Sequence, residues 1–227
     1  MGYKLPGIQT EGLPEHIVRI FTRAFDVPTY CETGTAGGAS VVIAADIFKK
    51  CYTVEIIEDR LLDQIKFGIS DKVEFYTGDS VAVLPEIISN FKGEYVFFFL
   101  DAHFCDSVPN TTGVKECPVL DELEIISGYQ NSIILIDDAR LFFGHPPYPN
   151  DPRQWPMIED IFRRTNKLFP GHHTTIIDDY VLCYPDQMGA AVIAEWTKRF
   201  PIRYPSAEDK LRSQTKDVFA ALIKYVG

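Results

Sequence analysis

The sequence predicts an open, mostly parallel α/β sheet with helices on both faces. Five strand-like segments alternate with helix-like segments between residues 28 and 137, and such alternation is typical of a doubly wound sheet. The run YVFFFL at 95–100 shows no polar alternation, as expected for a strand covered on both faces. Two further short strands are predicted within 172–185, joined as a hairpin at Asp178 and Asp179. The expectation is a seven-stranded sheet whose final hairpin strand runs antiparallel.

The elements follow one another in a regular order. Strands are predicted at 28–32, 51–55, 72–77, 95–101 and 132–137. Apolar residues at helical spacing predict helices at 13–25, 38–50, 58–69, 79–91, 117–127, 155–169, 189–200 and 206–226. Residues 141–156 hold five prolines and predict an ordered loop. We expect a single domain over 1–227, with a core at 28–185, an amino-terminal helix at 13–25 and a carboxyl-terminal helical extension at 187–227.

Composition narrows the classes of function. The chain has 227 residues, of which 46% are hydrophobic and 24% charged, so it can build a full core. A net charge of −10 and the lack of a dense basic patch disfavour nucleic acid and favour a small-molecule or glycan partner. Five widely spaced cysteines indicate a reducing compartment rather than a disulfide framework. With no signal-like or membrane-length apolar run, the expected location is cytoplasmic and no membrane partner is expected. The last helices could complete the core, cover the site or form a homodimer contact.

A glycine-rich turn follows the first predicted strand. YCETGTAGGAS leads from that strand into a helix, and glycines there allow a sharp turn and a close approach to a ligand. Glu55 ends the second strand, about twenty residues after Gly34, where an acid reaches ribose hydroxyls in doubly wound folds. Asp79 follows the third strand and could accept from an adenine amino group or only cap the next helix. The turn itself could also be purely geometric.

The segment ETGTAGGAS resembles motif I of class I S-adenosylmethionine-dependent methyltransferases, in the E-x-G-T-x-x-G-x-S form of catechol-type and caffeoyl-coenzyme-A-type O-methyltransferases. The resemblance covers about residues 28–185 and implies a Rossmann-like fold with S-adenosylmethionine as cofactor. It implies that Glu55 holds the ribose and Asp79 the adenine edge, and Ser80 is a further candidate cofactor-binding residue. A dinucleotide site is less similar, because Ala36 interrupts the glycine pattern and a carboxylate at Glu32 would repel a pyrophosphate. The methionine end of the cofactor would be held by Glu32, Gly34, Thr35, Gly38 and Ser40.

Acidic residues end the fourth and fifth predicted strands. LDAH places Asp101 after the fourth strand, and IDDAR places Asp137 and Asp138 after the fifth. If these strands are neighbours, the three carboxylates converge at the ligand-binding edge and need a cation or a shared proton. Oxygen ligands favour Mg²⁺ or Mn²⁺. The resemblance to catechol-type and macrolide-sugar O-methyltransferases implies metal ligands at these positions; the alternative is that the acids cap turns.

Candidates for acid–base chemistry lie beside these acids. His103 is the preferred base for an acceptor hydroxyl, Asp101 belongs to the same catalytic centre, and His145 is the second choice. Each histidine could instead be structural. Phe104, Tyr148 and Trp155, together with His145, are the candidate contacts to a sugar or an aromatic diol. The alternative is that the aromatic residues of the proline-rich loop pack into the core.

The expected function is a metal-dependent O-methyltransferase acting on a hydroxyl of a sugar, glycan or similar small diol. The alternatives are a catechol-like phenol as acceptor, a nicotinamide-dependent oxidoreductase on a similar sheet, and a non-catalytic relative that uses the pocket for other chemistry. The oxidoreductase is disfavoured by the glycine pattern and by the lack of an evident hydride-transfer constellation in the sequence.

Overall fold

The fold predicted from the alternation of strands and helices is confirmed. A computed structural model describes residues 12–57, 71–104 and 113–199. Seven strands form one sheet in the order β3-β2-β1-β4-β5-β7-β6, in which β1 to β5 are parallel and β7 is antiparallel to both its neighbours. The strands are β1 (Thr29–Thr33), β2 (Lys50–Glu55), β3 (Val73–Thr77), β4 (Val96–Leu100), β5 (Ser132–Ile136), β6 (His172–Ile177) and β7 (Tyr180–Pro185).

The described helices follow the predicted order with small differences at their ends. The predicted helix 38–50 stops at Ile47, because Lys50 already begins β2, and the predicted helix 155–169 begins only at Ile158, after Met157 as N-cap. Two predicted helices, 58–69 and 206–226, lie outside the described residues. The helices are α1 (Glu15–Ala24), α2 (Ala39–Ile47), α3 (Ser80–Ser89), α4 (Val119–Ile126), α5 (Ile158–Leu168) and α6 (Gly189–Arg199), with short 3₁₀ turns at Ala139–Phe142, Pro152–Gln154 and Asp186–Met188.

The central strands are buried on both faces. Every residue of β1, β4, β5 and β7 is buried, whereas the edge strands β3 and β6 are partly exposed. Aromatic rings fill one face. The centroid of the Phe97 ring lies 5.9 Å from that of Phe21 in α1 and 6.0 Å from that of Phe48. Aliphatic residues of α3 and α4 cover the other face of the same strands. This full burial explains why the central strands lack polar alternation.

Strand register places the ends of four strands side by side. Thr33 is in register with Val54 and with Leu100, and Leu100 is in register with Ile136. Parallel strands end at the same edge of a sheet, which is where ligands bind in open α/β folds. The residues that follow these four positions are Gly34, Glu55, Asp101 and Asp137.

The chain divides into two compact units, Met1–Val192 and Ile193–Gly227. Over the described ranges, no helix has the length and apolar character needed to cross a lipid bilayer. The four described cysteines, Cys31, Cys51, Cys117 and Cys183, are buried free thiols. Cys105 lies outside the described residues.

Candidate active site

The glycine-rich turn is pressed against the end of β4. Gly34 has φ +82°, and a β-carbon there would lie 2.3 Å from the backbone carbonyl oxygen of Asp101. Any side chain would be both strained and in collision with backbone, so only glycine fits. Gly38, with φ +79°, begins α2. The turn therefore brings the start of α2 directly beside the acidic end of β4.

Three side chains that the motif assigns to the cofactor form a buried hydrogen-bond network next to this turn. Glu32 is completely buried, and its carboxylate accepts hydrogen bonds of 2.7 Å from the hydroxyls of Tyr30 and Thr53. Burial raises the pKa of Glu32 to about 7, although the hydroxyls of Thr53, Tyr30 and Ser40 oppose the shift. Thr35 is 1% exposed and hydrogen-bonds to the Thr53 hydroxyl. Glu32, Thr35 and Ser40 thus support the turn through one buried network.

Glu55 reaches the same turn from the neighbouring strand. Its Oε2 accepts a hydrogen bond of 2.7 Å from the backbone N–H of Ala36, and its Oε1 accepts one of 3.2 Å from Ile57. Ala36 has φ +47°, an uncommon conformation for a residue with a side chain. The carboxylate predicted to meet ribose hydroxyls is therefore fixed beside the tip of the glycine turn.

Asp79 caps α3 and also meets a second segment. Its Oδ1 accepts from the N–H of Val81 at 2.9 Å, so the capping interpretation is correct. Its Oδ2 accepts from the N–H of Val114, also at 2.9 Å. A cavity of about 210 Å³ opens beside this carboxylate, with mostly apolar walls. Its lining residues are Asp79, Val81, Ala82, Val114, Lys115, Pro118 and Asp121.

A buried acid that sequence reasoning missed lies under this region. Glu122 of α4 is 1% exposed, and its Oε1 has no hydrogen-bond partner among the described residues. Burial raises the pKa of Glu122 to about 7, an effect that the nearby hydroxyls of Ser80 and Thr33 oppose. The available signal was a glutamate on a helix face that is otherwise apolar, next to Val119 and Leu123.

An imidazole and two carboxylates meet at the ends of β4 and β5. The Nε2 atom of His103 lies 3.2 Å from Asp101 Oδ1 and 3.2 Å from Asp138 Oδ2. Asp137 Oδ1 accepts a hydrogen bond of 2.7 Å from the backbone N–H of Asp138. The four residues proposed from the strand ends are therefore brought together at one edge of the sheet.

The charges of this cluster are strongly coupled. Burial, together with the negative charges of Asp101 and Asp138, raises the pKa of Asp137 to about 8. Burial acts in the same direction on Asp138, but His103 and Arg140 outweigh it and lower the Asp138 pKa. Burial would lower the pKa of His103, yet Asp101 and Asp138 hold it well above its ordinary value. The cluster therefore favours a cation between its carboxylates.

Arg140 and Asp179 hold Asp138 in place, and neither was predicted from the sequence as a residue of the site. Arg140 Nη1 donates to Asp138 Oδ1 at 2.6 Å and also to the Asp179 carboxylate. Asp179 Oδ1 accepts the backbone N–H of Arg140 at 2.9 Å, and its carbonyl oxygen accepts that of Ala139 at 2.7 Å. Asp179 is 3% exposed and belongs to the turn between β6 and β7. The hairpin thus anchors the loop that follows β5.

The proline-rich loop contributes one residue to this cluster. The Trp155 ring lies 5.4 Å from the His103 ring and 6.1 Å from the Phe142 ring, and Trp155 is only 7% exposed. Two other candidate contacts, His145 and Tyr148, are exposed, the latter at 95%. Phe104, the fourth candidate, is half-buried. Trp155 therefore forms a wall behind His103, while the middle of the loop faces solvent.

The donor set suits a hard cation, although the imidazole now lies between the acids. Across 12–57, 71–104 and 113–199, no three His, Cys, Asp or Glu side chains are arranged as metal ligands. His103 Nε2 makes close contacts to Asp101 and Asp138 but no well-formed hydrogen bond. The raised pKa of Asp137 indicates a shortage of positive charge. Three carboxylates of this kind fit Mg²⁺ or Mn²⁺ in type and charge, provided that His103 withdraws.

Comparison with known proteins identifies the fold. No protein-family model matches the chain, and neither does any curated protein. The O-methyltransferase TomG from Streptomyces achromogenes, involved in tomaymycin synthesis and solved with S-adenosylmethionine, aligns with a TM-score of 0.51 at 16% identity over 75% of this chain and 77% of its own. An O-methyltransferase from Bacillus cereus, solved with S-adenosylhomocysteine, aligns with a TM-score of 0.53 at 18% identity over 75% and 78%.

A candidate O-methyltransferase from Klebsiella pneumoniae aligns with a TM-score of 0.54 at 16% identity over 80% of this chain and 83% of its own. These three similarities cover between 75% and 80% of this chain. At such low identity they establish the architecture rather than the chemistry. The protein therefore shares its fold with these three proteins.

Proposed function

We propose that this protein transfers a methyl group from S-adenosylmethionine to a hydroxyl oxygen of a small acceptor. The observation that carries the proposal is the contact between the Gly34 turn and the backbone of Asp101. It sets a candidate donor site against a cluster of carboxylates and an imidazole. In this proposal, a methyl donor bound at the turn would lie next to a group able to accept a proton.

Residues at the ends of three strands support S-adenosylmethionine as the donor. Glu55 lies beside the tip of the glycine turn, where it can accept from both ribose hydroxyls. Asp79 borders an apolar cavity large enough to contribute to an adenine pocket. The buried carboxylate of Glu32 lies under the turn and favours a cationic ligand above it. Structures of TomG and of the Bacillus cereus enzyme, solved with this cofactor or its product, add support.

The chemistry assigned to the acid cluster is deprotonation of the acceptor. His103 Nε2 takes the hydroxyl proton, the oxygen attacks the methyl carbon in line with the departing sulfur, and S-adenosylhomocysteine leaves. In the absence of a metal, Asp101 and Asp138 would stabilise the imidazolium that forms, since each has an oxygen 3.2 Å from Nε2. Because the methyl group is already activated, much of the acceleration comes from holding oxygen and carbon in line. His145, exposed in the loop, is the second candidate base.

A divalent metal is the finer part of the proposal. Asp101, Asp137 and Asp138 would hold Mg²⁺ or Mn²⁺, which lowers the pKa of a bound hydroxyl. Removal of His103 from between Asp101 and Asp138 would leave their oxygens free for the ion and Nε2 free for the acceptor proton. The raised pKa of Asp137 supports a need for added positive charge.

The proposed acceptor is a sugar, glycan or similar small diol, with a catechol-like phenol as the alternative. The loop next to the acid cluster exposes Phe143 at 57% and Tyr148 at 95%, and aromatic surfaces of this kind suit either ring. The net charge of −10 and the acidic site disfavour a polyanionic acceptor.

Thermal denaturation with ligands tests the donor assignment. S-adenosylmethionine and S-adenosylhomocysteine are expected to raise the melting temperature, whereas NADH is not. Glu55→Gln should reduce the rise, and Glu86→Gln, on the exposed surface of α3, should not. Stabilisation by NADH alone would reject the proposal in favour of an oxidoreductase.

Manganese titration tests the metal assignment separately. Mn²⁺ is expected to bind the wild type, and Asp137→Asn should weaken binding by at least about tenfold. Asp26→Asn, at a side chain that is 84% exposed, is the matched control. Methyl transfer to catechol or methyl glucoside should stop when a chelator is added. Activity that persists in chelator would reject the metal and leave methyl transfer itself standing.

A further inference from the structure

Glu116 joins three segments around the proposed active site. Its carbonyl oxygen accepts the N–H of Phe104 at 2.7 Å, and its N–H donates to Gln154 Oε1 at 3.1 Å. Its side-chain Oε2 accepts the N–H of Asp151 at 2.8 Å and the indole Nε1–H of Trp155 at 3.0 Å. Glu116 thus binds the loop after β4 to the end of the proline-rich loop. It lies three residues before α4, in neither the glycine turn nor the acid cluster.

Two of the residues that Glu116 binds, Trp155 and Phe104, also contact His103. The Trp155 indole that Glu116 holds lies 5.4 Å from the imidazole ring. The Phe104 backbone that Glu116 holds presents its carbonyl oxygen 3.3 Å from His103 Nδ1. A closed circuit therefore runs from Glu116 through Phe104 to the imidazole, and back through Trp155 to the Glu116 carboxylate.

This circuit determines which imidazole nitrogen faces the acids. A carbonyl oxygen only accepts hydrogen bonds, so the contact to Phe104 requires the proton on Nδ1. Nε2 is then the nitrogen that faces the acids, 3.2 Å from Asp101 and from Asp138. The tilted indole of Trp155 keeps the ring from rotating away from that carbonyl. The orientation of the ring therefore depends on contacts that Glu116 maintains.

We propose that Glu116 is a positioning residue that fixes the orientation of His103 through Trp155 and Phe104. The proposal rests on the proposed function, because it gives His103 Nε2 the task of accepting the acceptor proton. Within the described ranges, the hydrogen bonds of Glu116 go to Phe104, Asp151, Gln154 and Trp155, and not to His103 or to a residue assigned to the cofactor.

Substitutions at Glu116 separate side-chain bonding from charge. Glu116→Ala removes the acceptor for Trp155 and Asp151. Glu116→Gln keeps a side-chain oxygen that can accept both hydrogen bonds, so this variant should retain methyl transfer. Glu124→Gln is the matched control, because Glu124 lies on α4 in a surface ion pair with Arg164. Circular dichroism and thermal melting show whether each variant is folded.

Kinetics in two backgrounds test whether Glu116 acts through His103. With catechol or methyl glucoside as acceptor, Glu116→Ala should lower kcat about 10- to 100-fold, the scale of a misplaced catalytic group, and leave the Kd for S-adenosylhomocysteine unchanged. In a His103→Ala background, Glu116→Ala should cost nothing further. An equal loss in both backgrounds would overturn the proposal and indicate a general structural role.

The Trp155 indole N–H gives a readout that needs no activity. The protein has two tryptophans, so a Trp196→Phe background leaves one indole signal in a proton–nitrogen NMR spectrum. That signal should be slow to exchange in wild type and Glu116→Gln, and shifted and fast to exchange in Glu116→Ala. An unchanged signal in Glu116→Ala would overturn the positioning role of Glu116 even if methyl transfer is demonstrated. Failure of methyl transfer together with a changed signal would reject the function while the contact stands.

Discussion

Gly34 and Asp101 approach so closely that a single β-carbon would not fit between them. That atom on Gly34 would lie 2.3 Å from the Asp101 carbonyl oxygen and 3.0 Å from the α-carbon of Ala102. The approach joins the glycine turn after β1 to the acidic loop after β4. Because ligands of open α/β sheets bind at this edge, the contact would set how near a donor bound at the proposed site could come to its acceptor.

Gly34→Ala should therefore destabilise the protein and weaken cofactor binding. A positive φ and an overlap with backbone together cost about 3 kcal/mol of unfolding free energy. Gly37→Ala is the control, since a β-carbon at Gly37 meets nothing within 4 Å, and it should change stability by less than about 0.5 kcal/mol. Urea denaturation measures both. Equal stability of the two variants would contradict the close approach.

Asp137→Asn should stop catalysis without loosening the fold. The asparagine oxygen can still accept the N–H of Asp138, and burial already raises the Asp137 pKa to about 8, so a neutral side chain suits the site. We expect kcat to fall about 100-fold or more, with the Kd for S-adenosylhomocysteine within about threefold of wild type. Methyl transfer assays measure kcat, and calorimetric titration measures the Kd for S-adenosylhomocysteine. A lost cofactor affinity with unchanged metal binding would count against the metal assignment.

Asp179→Asn should loosen the loop that carries the acid pair. Asp179 accepts both the backbone N–H and the guanidinium of Arg140 while only 3% exposed. Replacing this charge should cost about 2 kcal/mol of unfolding free energy and lower kcat. Glu124→Gln breaks a surface ion pair instead and should cost less than about 1 kcal/mol. Denaturant titration that ranked the two variants equally would show that the hairpin does not hold Arg140.

Glu122 should make stability fall as pH rises. Burial raises its pKa from 4.5 to about 7, so the folded protein binds a proton more tightly than the unfolded chain. The resulting stability is present at low pH and is lost as pH rises through 7. Between pH 5.5 and 8 the loss from this group is about 2 kcal/mol. Glu122→Gln should remove it, whereas Glu124→Gln should not; identical pH profiles for wild type and Glu122→Gln would refute this assignment.

The local sequence pattern was sufficient to predict the strands and most helices and the acidic residues at the strand ends. The alternation of apolar segments predicted the seven strands, and Asp101, Asp137 and Asp138 follow directly from where β4 and β5 stop. These positions depend on short stretches of chain and on the rule that parallel strands end at one edge. Their approach to His103 required only that β4 and β5 be neighbours, which they are.

Contacts across long sequence separations could not be predicted in the same way. Asp179 meets Arg140 and Glu116 meets Trp155 across 39 residues each, and no local periodicity marks such pairs. The motif also did not reveal that Glu32 and Thr35 would be buried, because their burial depends on Thr53 from the neighbouring strand. Trp155 was proposed for the acceptor, yet its exposure of 7% places it behind His103.

A crystal structure with S-adenosylhomocysteine and Mn²⁺ tests the central claim most directly. The account predicts the product across the glycine turn at Gly34, its ribose at Glu55, and an anomalous manganese peak among Asp101, Asp137 and Asp138. His103 Nε2 should then have left its position between Asp101 and Asp138, with Nδ1 still facing the Phe104 carbonyl. Product bound away from the Gly34 turn, or no product at saturating concentration, would contradict the account.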